Sequence, residues 1–328
     1  MLPTSIENGL KQKENLLEEQ KPSISGVVTS SSSIEKSTTV SQDPTKRLLS
    51  SLKHTSEILE TVLESIYTRG TSPKYPTGLK ELDEVIWGVH KKELMIIGAR
   101  TSQGKSSLAM QLALNLADLG ARVGYFSLEM SREQLMERII AHVSRIDARL
   151  IRCGLAKDKI KAQEKFLRGF IPNLKILFDD ESGYTFDNIV TICEELKFDF
   201  VFVDYIQMIS IRGYKSKLEA IEEYVRKFKE LCKVLDMGGI LISQINRQGV
   251  GEDMSMHHLK SAGCLEEHPD TVILLDWNKI KDEYQIRVEK QRHGEVKTVN
   301  VDYVPEHFKF SDWKKPSVLA RRETAYNV

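Results

Sequence analysis

The sequence predicts an α/β fold: a mostly parallel sheet flanked by helices, with an antiparallel C-terminal edge hairpin and a preceding linker helix. Three observations predict it. After Gly78, short apolar runs alternate with helical patterns, the signature of parallel strands joined by helical crossovers. Beyond Tyr284 the apolar spacing becomes every second residue, which suits antiparallel strands with one buried face. Upstream, Leu48, Leu52, Leu59, Val62 and Ile66 repeat at helical spacing, and the following TSPKYPTG holds two prolines that cannot continue a helix.

In chain order, residues 1–46 are expected to form a disordered tail. Their stretch TSSSSIEKSTTVSQDPTK is too polar to bury the apolar surface that would offset chain entropy. Residues 47–70 form the amphipathic linker helix, stopped by Gly70, residues 71–312 the α/β domain, and residues 313–328 a C-terminal tail. Strands are expected at 94–97, 123–128, 174–178, 200–203, 240–243 and 271–275, each a short apolar run of the kind a sheet covered on both faces requires. The clearest helix carries Leu218, Ile221, Val225, Phe228, Cys232 and Leu235 on one stripe and is closed by Gly238 and Gly239. The hairpin takes Ile286 and Val288 on one arm and Val299, Val301 and Tyr303 on the other, around a turn at His293 and Gly294.

Composition narrows the function. A chain of 328 residues that is 41% hydrophobic can hold a substantial core, as a globular enzyme does. Lys plus Arg number 47 and Asp plus Glu number 47, so any nucleic-acid site must be local rather than a property of the whole surface. Cys153, Cys193, Cys232 and Cys264 lie far apart, with no CxxC pair, which excludes a zinc set and suits reduced thiols. No apolar run approaches the roughly 20 residues needed to cross a bilayer, and no signal-peptide core opens the chain. A cytoplasmic protein without membrane contact is expected.

The chemistry sits where the first expected strand runs into GARTSQGKSS and then into a helix with Leu108, Leu112 and Leu116 on one face. Strand, loop and helix in that order are what a phosphate-binding loop needs, because backbone N–H groups must curl round an anion at a helix N-terminus. Gly104 lets the backbone approach, Lys105 neutralises phosphate charge, and Ser106 offers a hydroxyl to Mg²⁺; Ala99 stands where the general pattern has glycine. Asp204 ends the buried run 200–203 and suits a carboxylate of the metal shell at the carboxyl end of the sheet. Glu129 follows the second strand, just before Ser131 and Gln134, which form a capping box, and can orient or deprotonate an attacking water.

Seven stretches in order carry a resemblance: YPTGLKELDEV, GARTSQGKSSLAMQLALNLA, FSLEMSREQLMERI, VFVDYIQMI, LISQINR, LKSAGCLEEHPD and EKQRHG. From residue 75 to residue 310 the chain resembles the motor half of DnaB-like replicative DNA helicases. The resemblance implies a RecA-like fold, ATP and Mg²⁺ as nucleotide and metal, and a homo-oligomer, a hexameric ring, moving 5′ to 3′ on single-stranded DNA. A primase or a loader is the further partner it implies.

Residue by residue, the resemblance puts Lys105 and Ser106 on the phosphate and metal positions, with Ser102, Gly104 and Ser107 lining the loop. It puts Glu129 on the catalytic glutamate, Arg138 on a nucleotide-contacting arginine, and Asp204 on the metal-shell aspartate. Gln244 falls on the polar sensor, Lys290 and Arg292 on the basic pair offered to a neighbour's nucleotide, and Lys260 and Gly263 on the DNA-tracking loop. The chain departs from the family at Thr101, where a proline is usual, and at Lys260, Ser261, Glu267 and His268 around the DNA loop. The family's N-terminal helical collar also has no counterpart here beyond the linker helix. Two other classes share parts of this pattern: a RecA-like ATPase that remodels or loads a protein without unwinding, and a recombinase-like filament. Glu129 in its SLEM context and the KQR triplet fit the helicase better than the recombinase.

Overall fold

The structure is a computed structural model that describes residues 52–68, 70, 73–181, 183–210, 213–245, 267–278 and 283–314. All of the expected N-terminal tail, most of the C-terminal tail, and both DNA-loop residues, Lys260 and Gly263, lie outside the described residues. The chain divides into two units, residues 1–69 and 70–328. In the first, helix α1 (Thr55–Thr68) buries none of its residues, and Ile58, Leu59, Val62 and Ile66 are exposed.

The second unit is built on one nine-stranded sheet. Its parallel part comprises β1 (Leu94–Ala99), β2 (Val123–Ser127), β3 (Ile176–Asp179), β4 (Phe200–Asp204), β5 (Gly238–Gln244) and β6 (Thr271–Asn278). The antiparallel part is β7 (Glu283–Gln291), β8 (Thr298–Val304) and β9 (Lys309–Asp312). The order across the sheet is β3-β2-β4-β5-β1-β6-β7-β8-β9. The helices are α2 (Lys80–Ile86), α3 (Lys105–Asp118), α4 (Arg132–Ser144), α5 (Ala148–Arg152), α6 (Lys157–Phe170), α7 (Phe186–Leu196) and α8 (Lys217–Val234).

Alternation along the strands divides the core between the two faces. Met95 and Ile97 of β1, with Tyr125, Phe202, Ile240 and Ile242, meet Leu82 and Ile86 of α2 and Leu108, Leu112 and Leu116 of α3. Leu94 and Ile96, with Val201, Val203, Leu241, Val272 and Leu274, meet Ile189 of α7 and Ile221, Val225, Phe228 and Cys232 of α8. Each fully buried leucine contributes about 1.5–3 kcal/mol, so the three of α3 fix the helix that carries Lys105 firmly against β1.

The structure corrects the expected elements in four places, the first being the linker helix, whose helical part starts at Thr55 and leaves Leu52 outside it. Gly238 and Gly239 do not close α8; they begin β5, and α8 ends at Val234. The left-handed turn falls instead on Asp236, with φ of 53°. A Cβ on Gly238 would stand 2.5 Å from the Phe200 ring and one on Gly239 2.6 Å from Cys232 Sγ, so these glycines let α8 and β4 close on the strand. The third strand begins at Ile176 rather than at 174, because the Leu174 N–H closes a tight turn onto Ile171 O at 3.1 Å. The antiparallel edge is present and longer than one hairpin: β7 pairs with both β6 and β8, and β9 forms the rim.

That rim is stitched back to the start of the unit. The Gln111 side chain of α3 accepts from Phe310 N at 2.8 Å and donates to Phe310 O at 3.0 Å, and Asp312 Oδ1 accepts from Lys80 N at 2.6 Å.

Candidate nucleotide site

Strand pairing assembles the site. The ladder places Ser127 opposite Asp204, and Leu128 N–H donates to Asp204 O at 2.8 Å, so the residue after Leu128, Glu129, emerges beside Asp204. Ala99 lies opposite Gln244 on the other flank, and Ile245 N–H donates to Ala99 O at 3.0 Å. Glu129, Asp204, Gln244 and the loop 99–106 therefore gather at the carboxyl ends of β2, β4, β5 and β1, where open α/β sheets bind ligands.

The loop has the backbone a phosphate cradle requires. Ser102 has φ of 65° and Gly104, the N-cap of α3, has φ of 86°, left-handed positions of the kind from which backbone anion nests are built. Gly104 is also backed from below: a Cβ there would meet Phe310 Cζ at 3.0 Å and Tyr303 Cζ at 3.4 Å. A side chain at Gly104 would be strained by the φ and would have to displace those rings. Gln103 Oε1 accepts from Arg100 N at 3.1 Å and holds the loop's first turn.

Lys105 is the hub. Its ammonium lies 3.2 Å from Glu129 Oε2, 3.4 Å from Asp204 Oδ1, 3.4 Å from Ser106 Oγ and 4.6 Å from the centre of the Tyr205 ring. Asp204 is nearly sealed, with its side chain 4% exposed, whereas Glu129 is 51% exposed and can swing to meet a ligand. The second oxygen of Asp204 accepts from Tyr125 OH at 3.1 Å; burial, then the charge of Asp204, holds that phenol well above its ordinary range, so it stays a donor. Two carboxylates, one lysine, one serine hydroxyl and the loop's left-handed turns make a set that fits a magnesium–nucleoside triphosphate. Ser106 and Asp204 are the residues that would face the metal.

The remaining expected residues are spread more widely. Gln244 Nε2 donates to Thr101 Oγ1 at 2.9 Å, so the hydroxyl that stands where the family has proline joins the end of β5 to the phosphate loop. Ser107 is turned away from the nest, its hydroxyl 3.1 Å from Tyr303 OH and its side chain buried. Arg138 lays its guanidinium over Phe308, 4.7 Å from the ring centre. Lys290 and Arg292 are not part of this cluster. Because β7 runs antiparallel, they come out at the amino-terminal end of the sheet, where Lys290 Nζ donates to Glu267 O at 2.9 Å and Arg292 pairs with Asp270 at 3.4 Å.

Two contributors escaped the sequence reading. Gln207 donates to Ser243 Oγ at 2.8 Å and accepts from Gln244 N at 3.4 Å, which ties the turn after β4 to the end of β5. Tyr125, which holds Asp204, looks in sequence like any aromatic strand residue. A polar atom at the inner end of a buried side chain gives no local signal; only the pairing of β2 with β4 brings it to Asp204.

The comparisons fit this geometry. Residues 75–312 match the family described as DnaB-like helicase C terminal domain. The replicative DNA helicase DnaC of Bacillus subtilis is 30% identical over 270 residues, 76% of this chain and 59% of that protein. The replicative DNA helicase DnaB of Geobacillus stearothermophilus is 30% identical over 266 residues, again 76% and 59% of the two chains. The chain thus spans somewhat more than half the length of these relatives. Among solved structures, one described as an ATPase domain superposes with a TM-score of 0.75 at 25% identity, covering 80% of this chain and 100% of that one. A DnaB-like replicative helicase studied with primase gives 0.74 at 25% identity, covering 83% of this chain and 72% of that one. With a mostly parallel sheet, a phosphate loop after β1 and these relatives, the fold is RecA-like and the chain belongs to the DnaB-like helicase C-terminal domain family.

Proposed function

We propose that this chain is an ATP-hydrolysing DNA helicase motor that works as a ring-forming oligomer, moving 5′ to 3′ on single-stranded DNA. The observation that carries the reading is the convergence of Lys105, Glu129 and Asp204 at the carboxyl ends of three strands, with Gln244 on the flank. Lys105 and the N–H groups of the loop hold the phosphates, and Ser102 and Gly104 shape that nest. Bound Mg²⁺ would draw charge from the β- and γ-phosphates, between Ser106 and Asp204. Glu129, the most exposed member, orients the attacking water and accepts its proton. Nucleotide must break the ion pairs of Lys105, which frees Glu129 for that task. Arg138 faces the nucleotide from α4.

Gln244 reports the state of the γ-phosphate through Thr101, and its strand leads on toward the segment that holds Lys260 and Gly263. Lys290 and Arg292, at the opposite end of the sheet from their own phosphate loop, act on the nucleotide of a neighbouring subunit. A head-to-tail assembly, a hexameric ring, satisfies both ends at once. A primase or a loader is the partner in replication; the DnaB-like structure studied with primase supports the first.

The test is strand displacement on a forked DNA with ATP, with stoichiometry measured by light scattering in the same buffer. Displacement by a ring supports the motor. ATP hydrolysis with no displacement in any oligomer favours a remodelling or loading switch, the reading to which the departures at Lys260, Ser261, Glu267 and His268 point.

A further inference from the structure

We propose that Asp270 is a positioning residue for Arg292: a buried carboxylate that sets the arginine offered to a neighbouring subunit's nucleotide. The proposal rests on the reading of Arg292 given above. Asp270 stands at the amino-terminal end of β6, and its backbone is fixed on both sides. Its N–H donates to Leu94 O at 2.9 Å, and its carbonyl accepts from Arg292 N at 3.0 Å. The carboxylate divides its two oxygens between the interior and the surface. Oδ2 accepts from Leu94 N at 2.8 Å and from the Lys229 ammonium, while Oδ1 faces Arg292 Nη1 at 3.4 Å. Lys229 is anchored in turn, donating to Lys92 O at 3.0 Å from the middle of α8.

Exposure separates the three charges. The side chains of Asp270 and Lys229 are 4% and 10% exposed, and that of Arg292 is 46% exposed. Two cations share one anion, so the surplus positive charge of the group lies on the member that reaches the surface. A carboxylate held by a buried lysine and a strand N–H cannot move without leaving charge unpaired. It therefore restrains the guanidinium at Nη1, and a planar fork restrained there can present phosphate-matching geometry on its other side. Lysine in place of Arg292 would have no such second edge. The same carboxylate grips the first residue of β1, the strand that ends in this subunit's phosphate loop, so the outgoing arginine is referenced to the rigid centre of the sheet.

The test is complementation between full-length variants in mixed oligomers whose composition is verified by sedimentation. Asp270→Asn keeps the size and one acceptor oxygen but removes the charge. Asp270→Asn oligomers should bind ATP as the parent does and turn over about 10- to 100-fold more slowly, the cost of a displaced catalytic group. Mixed with Lys105→Ala subunits, they should regain hydrolysis, because those subunits supply sound arginines to sound Asp270→Asn phosphate loops. Mixed with Arg292→Ala subunits, they should regain none. Lys229→Gln should give the same pattern with a smaller loss.

Parental turnover by Asp270→Asn would overturn the proposal. So would failure of the Asp270→Asn and Lys105→Ala mixture while Arg292→Ala and Lys105→Ala complement each other, since that is the signature of a purely structural defect. Failure of the Arg292→Ala and Lys105→Ala mixture would instead overturn the placement of Arg292 in trans, and with it this role for Asp270.

Discussion

Lys105→Ala should cost stability before any nucleotide is added. In the free protein the lysine is the charge partner of Asp204, whose side chain is 4% exposed and whose other support is the hydroxyl of Tyr125 at 3.1 Å. Removing one partner of a buried ion pair costs about 3–5 kcal/mol, because the remaining charge is left in a poor solvent. The 3.4 Å separation and the tyrosine bond place this case at the low end, about 3 kcal/mol. The exposed Glu129 adds little, since pairs near the surface contribute at most about 1 kcal/mol. For a domain of this size, about 2–4 °C of melting temperature is lost per kcal/mol, so thermal unfolding of the ligand-free variant should shift down by about 6–12 °C. Lys105→Ala combined with Asp204→Asn should recover most of that loss, since no charge is then left unpaired. Circular dichroism melts of the parent, both single variants and the double variant decide it. An unshifted Lys105→Ala melt, or a double variant no more stable than Lys105→Ala, would refute the argument that Lys105 and Asp204 hold each other in the free protein.

Glu129→Gln should leave ATP binding intact and lower hydrolysis by about 10²- to 10⁴-fold, the usual contribution of a positioned base; parental turnover would remove Glu129 from that role. Lys260→Ala should weaken single-strand DNA binding regardless of base sequence and flatten the slope of log affinity against log salt by about 0.7, which titrations at several salt concentrations in oligomers of equal size will read. Burial, helped by the charge of Lys309 and countered in part by backbone hydrogen bonds to Phe308 and His307, holds His142 below its ordinary value of 6.5. Folding therefore favours the neutral ring, and the ring's contribution is complete above that value and is lost as pH falls below it. His142→Gln should melt with a smaller loss than the parent when pH is lowered from about 7 to about 5, and parallel curves would count against this account.

Features encoded within a few residues were legible in the sequence. The phosphate loop is one, since strand, glycine-bearing loop and helix are contiguous. The capping box of Ser131 and Gln134 is another: the Ser131 hydroxyl accepts from Gln134 N, and Gln134 answers to Ser131 N at 3.2 Å. Asp204 and Glu129 could be read as strand-end carboxylates, but their meeting at Lys105 depends on β4 lying between β2 and β5, an order no local pattern states. Gly238 and Gly239 mislead for the same reason: a glycine pair after a helix reads as a stop, and only the rings of Phe200 and Phe228 show why a strand needs it. The hydroxyl of Thr101 reads locally as a tolerated change in the loop, while its bond to Gln244 spans most of the domain's sequence.

The stitching of β9 to α3 has a consequence for how the protein is made. The bonds between Gln111 and Phe310 join residues 199 positions apart, and the Phe310 ring lies under Gly104. Contacts so distant in sequence form late, because chain closure must come before the contact that rewards it. During synthesis, α3 and its lysine leave the ribosome long before the strand that supports the phosphate loop. A nascent chain that has not reached residue 310 holds the whole loop 99–106 yet lacks the Phe310 ring that lies under Gly104. If the loop holds nucleotide as proposed, its support is complete only once the last strand has packed beneath Gly104.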